Sequence, residues 1–290
     1  MQKNLPTLDP TDKGLFFLSL GGIGEIGANC YLYGCDGKWI MIDLGLSFAD
    51  EQFPGIELLV PKIDFVDDLD KNLEAVIISH GHEDHAGALA FLANKIKCPV
   101  YVTTFAKLLI ENRLKEFGFL DQINLIEINT NSKIKLKNFN LEFISTTHSI
   151  PQPSAIVIST VYGNLLHTAD WKIDNTPTLG EDFNKKAFEN LGNQGILALI
   201  GDSTNANIPG YSQSENEVKE ELISVFSRYN KRIIITCFSS NIARMQNIVR
   251  AAQKNNRKIA LVGRSMKKTI EAAVKSNFIK DQDIFISEEE

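Results

Sequence analysis

Short apolar runs, broken by polar and glycine-containing stretches, dominate the first half of the chain. Leu15–Leu20, Cys30–Tyr33, Trp39–Asp43 and Ala75–Ser79 have the length and residue types of strands. His85–Lys97 instead spaces Ala and Leu at helical intervals directly after acidic residues, which predicts a helix. Pro99–Val102 reads as a strand and Phe105–Phe117 as a helix. Ile123–Ile128, Leu141–Thr146, Ala155–Val161 and Leu165–Thr168 read as further strands, joined by Asn, Lys and Gly turns. From about Gly195 the rhythm changes. Strand Ile196–Ile200, expected to be buried, precedes helix Ser214–Tyr229, strand Ile233–Phe238, helix Asn241–Lys254, strand Ile259–Val262 and helix Met266–Lys275. Such alternation predicts parallel strands with crossover helices. The change of pattern sets a domain boundary near Ile208, giving residues 1–207 and 208–290 of an α/β protein with no internal repeat.

With 290 residues, 43% hydrophobic and 23% charged, the chain has an ordinary soluble composition and can bury a large core. No apolar run approaches the ~18–20 residues of a membrane span. Met1–Lys13 is polar and lacks the apolar core of a signal peptide. Four scattered cysteines (Cys30, Cys35, Cys98, Cys237) make no disulfide framework, so a reducing cytoplasm is the expected compartment. The net charge of −6 argues against a nucleic-acid partner until it is divided. Residues 228–280 carry thirteen Lys/Arg against one acid, Glu271, whereas residues 1–227 carry 17 Lys/Arg against 30 Asp/Glu. An acidic body suits a metal, and a basic segment suits an anion or is simply a solvated helical face.

Gly22, Gly24 and Gly27 satisfy the dinucleotide pattern G-x-G-x-x-G after a strand. That pattern works only where a helix N-terminus follows, and Ala28–Gly34 alternates like a strand. A glycine-rich turn between antiparallel strands is expected instead.

The densest chemistry is Ser79-His80-Gly81-His82-Glu83-Asp84-His85, which holds three of the five histidines. His80 and His82 can converge on one metal from an extended loop, and Asp84 and His85, at a helix start, can face a second. Imidazole and carboxylate are ligands that Zn²⁺ takes. Two strand ends offer more. His148 follows Leu141–Thr146, and Asp170 follows Leu165–Thr168; alone they read as a loop histidine and a turn cap. Together with the cluster, His148 completes a three-histidine site, and Asp170 can bridge to a metal held by Asp84 and His85. Asp43, at the end of Trp39–Asp43, is either a group orienting a ligand histidine or a turn residue. His167 reads as a core histidine.

The pattern H-x-H-x-D-H with these flanking residues resembles the metallo-β-lactamase superfamily, and more finely the ribonuclease J group of its β-CASP branch. The matching segments are Leu20–Gly27 with Asn29, Ser79–His85, His167–Lys172, Gly201–Ala206 with Pro209-Gly210, Phe238–Asn241 with Arg244, and Gly263–Met266. The resemblance implies an αββα sandwich with the start of an inserted α/β β-CASP domain. It also implies two divalent metals, Zn²⁺ or Mn²⁺, and endonucleolytic and 5′→3′ cleavage of single-stranded RNA, with a preference for a 5′ monophosphate. Carried over residue by residue, His80, His82, His148 and Asp170 would hold one metal, and Asp84, His85 and Asp170 the other. Asp84 and His85 would be the catalytic pair. Asp202 would be the acidic residue of the first β-CASP motif, and Ser239, Asn241, Arg264 and Ser265 would line the RNA channel.

The family pattern also carries two later histidines, whereas the last histidine here is His167. On this resemblance the chain is expected to be a truncated or split member. It would be completed by another fragment or assemble as a homo-oligomer, or be left as an inactive metal- or RNA-binding remnant. A small-molecule hydrolase of the same superfamily, a lactonase or thioesterase, is the other expectation. The β-CASP-like segments and the basic stretch count against it.

Overall fold

The computed structural model describes residues 8–289; residues 1–7, in the polar start of the chain, lie outside them. Three strands open the fold as an antiparallel meander: β1 (Leu15–Gly21), β2 (Cys30–Cys35) and β3 (Lys38–Ile42). The glycine-rich turn therefore joins antiparallel strands, and no helix follows it. A small hairpin of β4 (Ser47–Phe48) and β5 (Leu58–Leu59) comes next, then helix α1 (Asp64–Leu69). After β6 (Leu73–Ile77) come α2 (Glu83–Ala86), β7 (Val100–Thr103), α3 (Thr104–Phe117) and β8 (Leu125–Ile128). β6, β7 and β8 add parallel to β3, giving a six-stranded sheet in the order β1-β2-β3-β6-β7-β8.

The second sheet has the order β13-β12-β11-β10-β9. Its antiparallel part is β9 (Lys133–Lys135), β10 (Asn140–Ser145), β11 (Ser154–Thr160) and β12 (Gly163–His167). After α4 (Lys185–Gln194), β13 (Ala198–Ile200) joins parallel to β12.

Alternation along the strands assigns each side chain to a layer. Tyr33, Ile40, Ile42 and Ile77 of the first sheet meet Phe139, Phe143, Ile156 and Ile158 between the sheets. On the outer face of the first sheet, Leu32, Trp39, Met41 and Val76 pack on Ile110 and Leu114 of α3 and Val66 and Leu69 of α1. On the outer face of the second sheet, Ile144, Val157 and Leu166 pack on Leu191 of α4. Each large apolar side chain so buried contributes about 1.5–3 kcal/mol. The layers are helix, sheet, sheet, helix.

The rest of the chain is α5 (Glu215–Ser227), α6 (Ile242–Lys254), β14 (Ile259–Ala260), α7 (Arg264–Lys275) and β15 (Phe285–Ile286). α6 starts where the Asn241 side chain accepts from Arg244 N. It buries Ile242, Met245, Ile248, Val249 and Ala252 against Phe226 of α5 and Ile270 and Ala273 of α7. Phe105 and Ile150 of the sandwich enter this same cluster, so the two parts share a packed seam.

Three expected elements differ. The helix expected over His85–Lys97 ends at Ala86, because the segment at Leu44–Leu46 captures its backbone. His85 O accepts from Leu44 N at 2.8 Å, Glu83 O from Leu46 N at 3.0 Å, and Ala88 N donates to Leu44 O at 3.0 Å. Ile233–Phe238 is extended but unladdered, with Ile234 86% exposed; among the described residues no strand runs beside it. The parallel pairing expected there is reduced to β14 with β15. The strand expected to be buried at Ile196–Ile200 is instead the edge strand β13, where Leu199 is 65% exposed.

Candidate metal centre

The six candidate ligands gather at the ends of strands along one rim of the sandwich. β6 delivers the loop that holds His80 and His82, and α2 carries Asp84 and His85 directly after Glu83. His148 follows β10, and Asp170 follows β12 beyond Ala169, which sits at φ 50°. Ligand atoms of His80, His82, His148 and Asp170 lie within 4.8 Å of one another, as do those of Asp84, His85 and Asp170. His82 Nδ1 is 3.0 Å from His80 Nε2 and 3.1 Å from His148 Nε2. Asp170 spans both groups, with Oδ2 3.5 Å from His148 Nε2 and Oδ1 3.2 Å from His85 Nε2.

Asp43 lies beneath them, fully buried, at φ 62°. Ser79 N donates to its Oδ1 at 2.7 Å, and Ser79 Oγ to its Oδ2 at 2.8 Å. His85 Nδ1 is 2.7 Å from Asp43 Oδ2 and so carries a proton. Ser79 Oγ has spent its own proton on Asp43, so it accepts from His80 Nδ1 at 3.0 Å. One carboxylate thereby fixes the Nδ1 side of two histidine rings and turns both Nε2 atoms toward the ligand groups. A third contact closes the approach. Gly45 has no room for a side chain, because a Cβ there would fall 1.6 Å from Asp84 O.

Burial, then the neighbouring imidazoles, push His80 well below the usual histidine range. Burial lowers His82 to about 3 and His148 to about 4. All three are neutral donors at physiological pH. His85 is the reverse: burial opposes a charge, but Asp43 and Asp170 outweigh it and raise its pKa well above normal. Burial likewise opposes ionisation of Asp170, and its bond to His85 and the charges of the histidines still bring it to about 2. Imidazoles and carboxylates converging on two shared points are the donor set that divalent cations take, so the residues fit such ions.

His82, Asp84, His148 and Asp170 floor a cleft of about 740 Å³. Ile26 and Phe48 border it on one side, and α3 contributes Asn112, Arg113 and Glu116. The facing wall comes from the second part of the chain: Ser239, Asn241, Arg264, Ser265 and Lys268. Ser239 and Ser265 hydroxyls meet at 2.9 Å. Asn241 Oδ1 is committed to capping α6. Asp202 is apart from this wall: it follows β13 and accepts from Thr204 N at 2.8 Å, and it is not among the side chains that line the cleft. His167 is buried between the sheets, 2.9 Å from Tyr33 Oη, and belongs to neither ligand group. One contact has no sequence signal at all: Arg113 of α3 pairs with Glu83 at 3.3 Å and stacks over Phe91, bracing the loop between His82 and Asp84.

Two sheets between helices, with histidine and aspartate donors at the strand ends, define a class, and a family model matches it. Residues 23–191 match the metallo-beta-lactamase superfamily, to which the chain belongs. Within that class the chain is similar to ribonuclease J, and residues 230–290 match the model "Ribonuclease J, beta-CASP domain". Ribonuclease J of Sinorhizobium meliloti is 38% identical over 283 residues, covering 96% of this chain and 50% of the relative. Ribonuclease J 1 of Streptococcus pyogenes is 39% identical over 275 residues, covering 94% of this chain and 48% of the relative. The chain spans about half the length of the curated relatives it matches. The same fold occurs in a protein of unknown function from Enterococcus faecalis, with TM-score 0.67 and 17% identity over 95% of this chain and 74% of that one.

Proposed function

We propose that the protein is a metal-dependent ribonuclease of the ribonuclease J type, cleaving RNA phosphodiesters internally and from the 5′ end. One observation carries this reading. Two ligand groups that share Asp170 floor a cleft whose opposite wall belongs to the stretch similar to a ribonuclease J β-CASP domain. In this reading residues 1–207 hold the metals and residues 208–290 grip the substrate. His80, His82, His148 and Asp170 hold one ion, and Asp84, His85 and Asp170 the other. The nitrogen-rich first group favours Zn²⁺, and the second, with two carboxylates, also suits Mn²⁺. Bound ions of this kind supply an acidified water and neutralise charge that develops on phosphate.

The protein's own groups do the rest. Asp84, a third exposed on the cleft floor, receives the proton of the attacking water. His85, clamped by Asp43, fixes the second ion's position. Ser239, Asn241, Arg264 and Ser265 hold the phosphates of a single strand, a terminal 5′ monophosphate among them, while Asp202 braces its own turn through Thr204, off the cleft wall. A cytoplasmic RNA pool is the matching setting; among the described residues no helix is long and apolar enough to cross a membrane.

Elemental analysis is expected to find close to two divalent ions per chain. The protein should degrade 5′-monophosphorylated RNA, and His80→Ala should abolish that. Hydrolysis of lactones or thioesters with RNA left intact would overturn the reading. One ion or none, with RNA bound but uncut, would mark an inactive remnant and overturn it equally.

A further inference from the structure

The function just proposed leaves the glycine-rich turn Gly22–Gly27 unused. Its structural partner is Asn29, whose side chain reaches residues 55 and 56 positions away. Asn29 Nδ2 donates to the main-chain oxygen of Asp84 at 3.1 Å and lies 3.1 Å from His85 Nε2 and 3.5 Å from Asp84 Oδ2. The other end of the amide is also engaged. Tyr31 Oη donates to Asn29 Oδ1 at 2.7 Å and sits 3.2 Å from Gly22 O. A hydroxyl donor at one end and a carbonyl acceptor at the other allow one orientation of the amide.

The backbone closes the same circuit. Asn29 N donates to Asp84 O at 3.0 Å, and Asn29 O accepts from Gly45 N at 2.9 Å. Gly22 must be glycine for the turn to close over this pair. Its φ is 79°, and a Cβ would fall 2.3 Å from Tyr31 Oη and 2.5 Å from Asn29 Oδ1. The turn that imitates a dinucleotide motif thus seats an amide against one half of the metal centre.

That half needs outside support. Asp84 and His85 lie in α2, four residues long, which is too short to hold its own geometry. Asp43 fixes the His85 ring at Nδ1, and the Asn29 amide holds the main-chain oxygen of Asp84 beside it. The first ligand group is oriented differently, through Ser79 and the mutual contacts of its imidazoles.

We propose that Asn29, fixed by Tyr31 beneath the Gly22 turn, is a positioning residue for the Asp84–His85–Asp170 metal position and not for the His80–His82–His148 position. The inference rests on the two-metal reading above. Calorimetric titration of the metal-free full chain with Zn²⁺ tests it, with His148→Ala identifying which binding event belongs to the first group. Asn29→Ala is expected to weaken the second event by about 10- to 100-fold and leave the first within about twofold. Tyr31→Phe, which removes only the hydroxyl, should weaken the same event by a smaller factor. Equal weakening of both events by Asn29→Ala, with Tyr31→Phe behaving as wild type, marks a merely structural role and overturns the proposal. Two intact events in both variants overturn it and leave the metal reading standing. A wild-type chain that takes no second ion overturns both.

Discussion

At the scale of single residues, the site is a matter of where protons sit. Burial holds His167 at a pKa of about 4, whereas an unfolded histidine titrates near 6.5. The unfolded chain therefore takes up a proton at a pH where the folded chain does not. Stability from this group is complete above about pH 6.5 and falls as pH drops toward 4, by up to about 1.4 kcal/mol per pH unit. Urea unfolding of the chelator-treated chain at pH 7 and pH 5 checks this. His167→Gln should lose roughly 2 kcal/mol less than wild type between those values, because it has no proton to gain. His80, His82 and His148 push in the same direction, and His85, raised by its carboxylates, pushes against them. Residue identity made the candidate ligands visible, since three histidines in six residues stand out. It did not settle Asp43, which only the folded chain places 2.7 Å from His85.

At the scale of elements, the seam between the two parts is a polar network as well as an apolar one. Glu215, at the start of α5, keeps its side chain 10% exposed and pairs with Arg244 of α6 at 3.1 Å. Asn247 Nδ2 adds bonds to the Glu215 main-chain oxygen at 2.8 Å and to its carboxylate at 3.0 Å. Ser214 hands the connection to Asp174 of the sandwich at 2.8 Å, and Ala243 N donates to Ser149 O, next to the candidate ligand His148. Arg244→Met leaves a buried carboxylate short of a partner and should destabilise the chain by about 2 kcal/mol, less than for a fully buried pair because Arg244 is 34% exposed. Adding Glu215→Gln should recover part of that loss, a coupling that a double-mutant unfolding cycle measures. Element types were largely legible: the strands of both sheets apart from the short, polar β9, and α3, α5, α6 and α7, follow their hydrophobic periods. The early end of α2 was not, since it depends on hydrogen bonds from Leu44 and Leu46, about forty residues away in the chain. Nor was the missing ladder at Ile233–Phe238, because periodicity marks an extended apolar segment and says nothing of a neighbour.

At the scale of the whole molecule, charge is partitioned as the chain is. The acidic sandwich carries the ligand carboxylates, and Arg264 and Lys268 of the basic segment face them across the cleft. If this wall contacts phosphates as proposed, it releases counterions, and affinity for single-stranded RNA should fall with salt, by about 0.7 log–log units per phosphate contacted. Arg264→Gln should reduce that slope by about 0.7, read by fluorescence anisotropy over a salt series. An unchanged slope would place Arg264 outside the RNA path.

The amino-acid sequence by itself determined the alternation of strands and helices, the H-x-H-x-D-H cluster and the division of charge. Each is written in neighbouring residues, where periodicity and spacing act directly. Only the tertiary structure decided that His148 and Asp170 meet that cluster, that Asp43 fixes the Nδ1 side of two histidine rings, and that Asn29 reaches Asp84. It also decided that Asp202 stays off the cleft wall. These contacts join strand ends tens of residues apart. Which strand ends share a rim is settled by sheet order and by packing between the layers, and no local pattern carries that information.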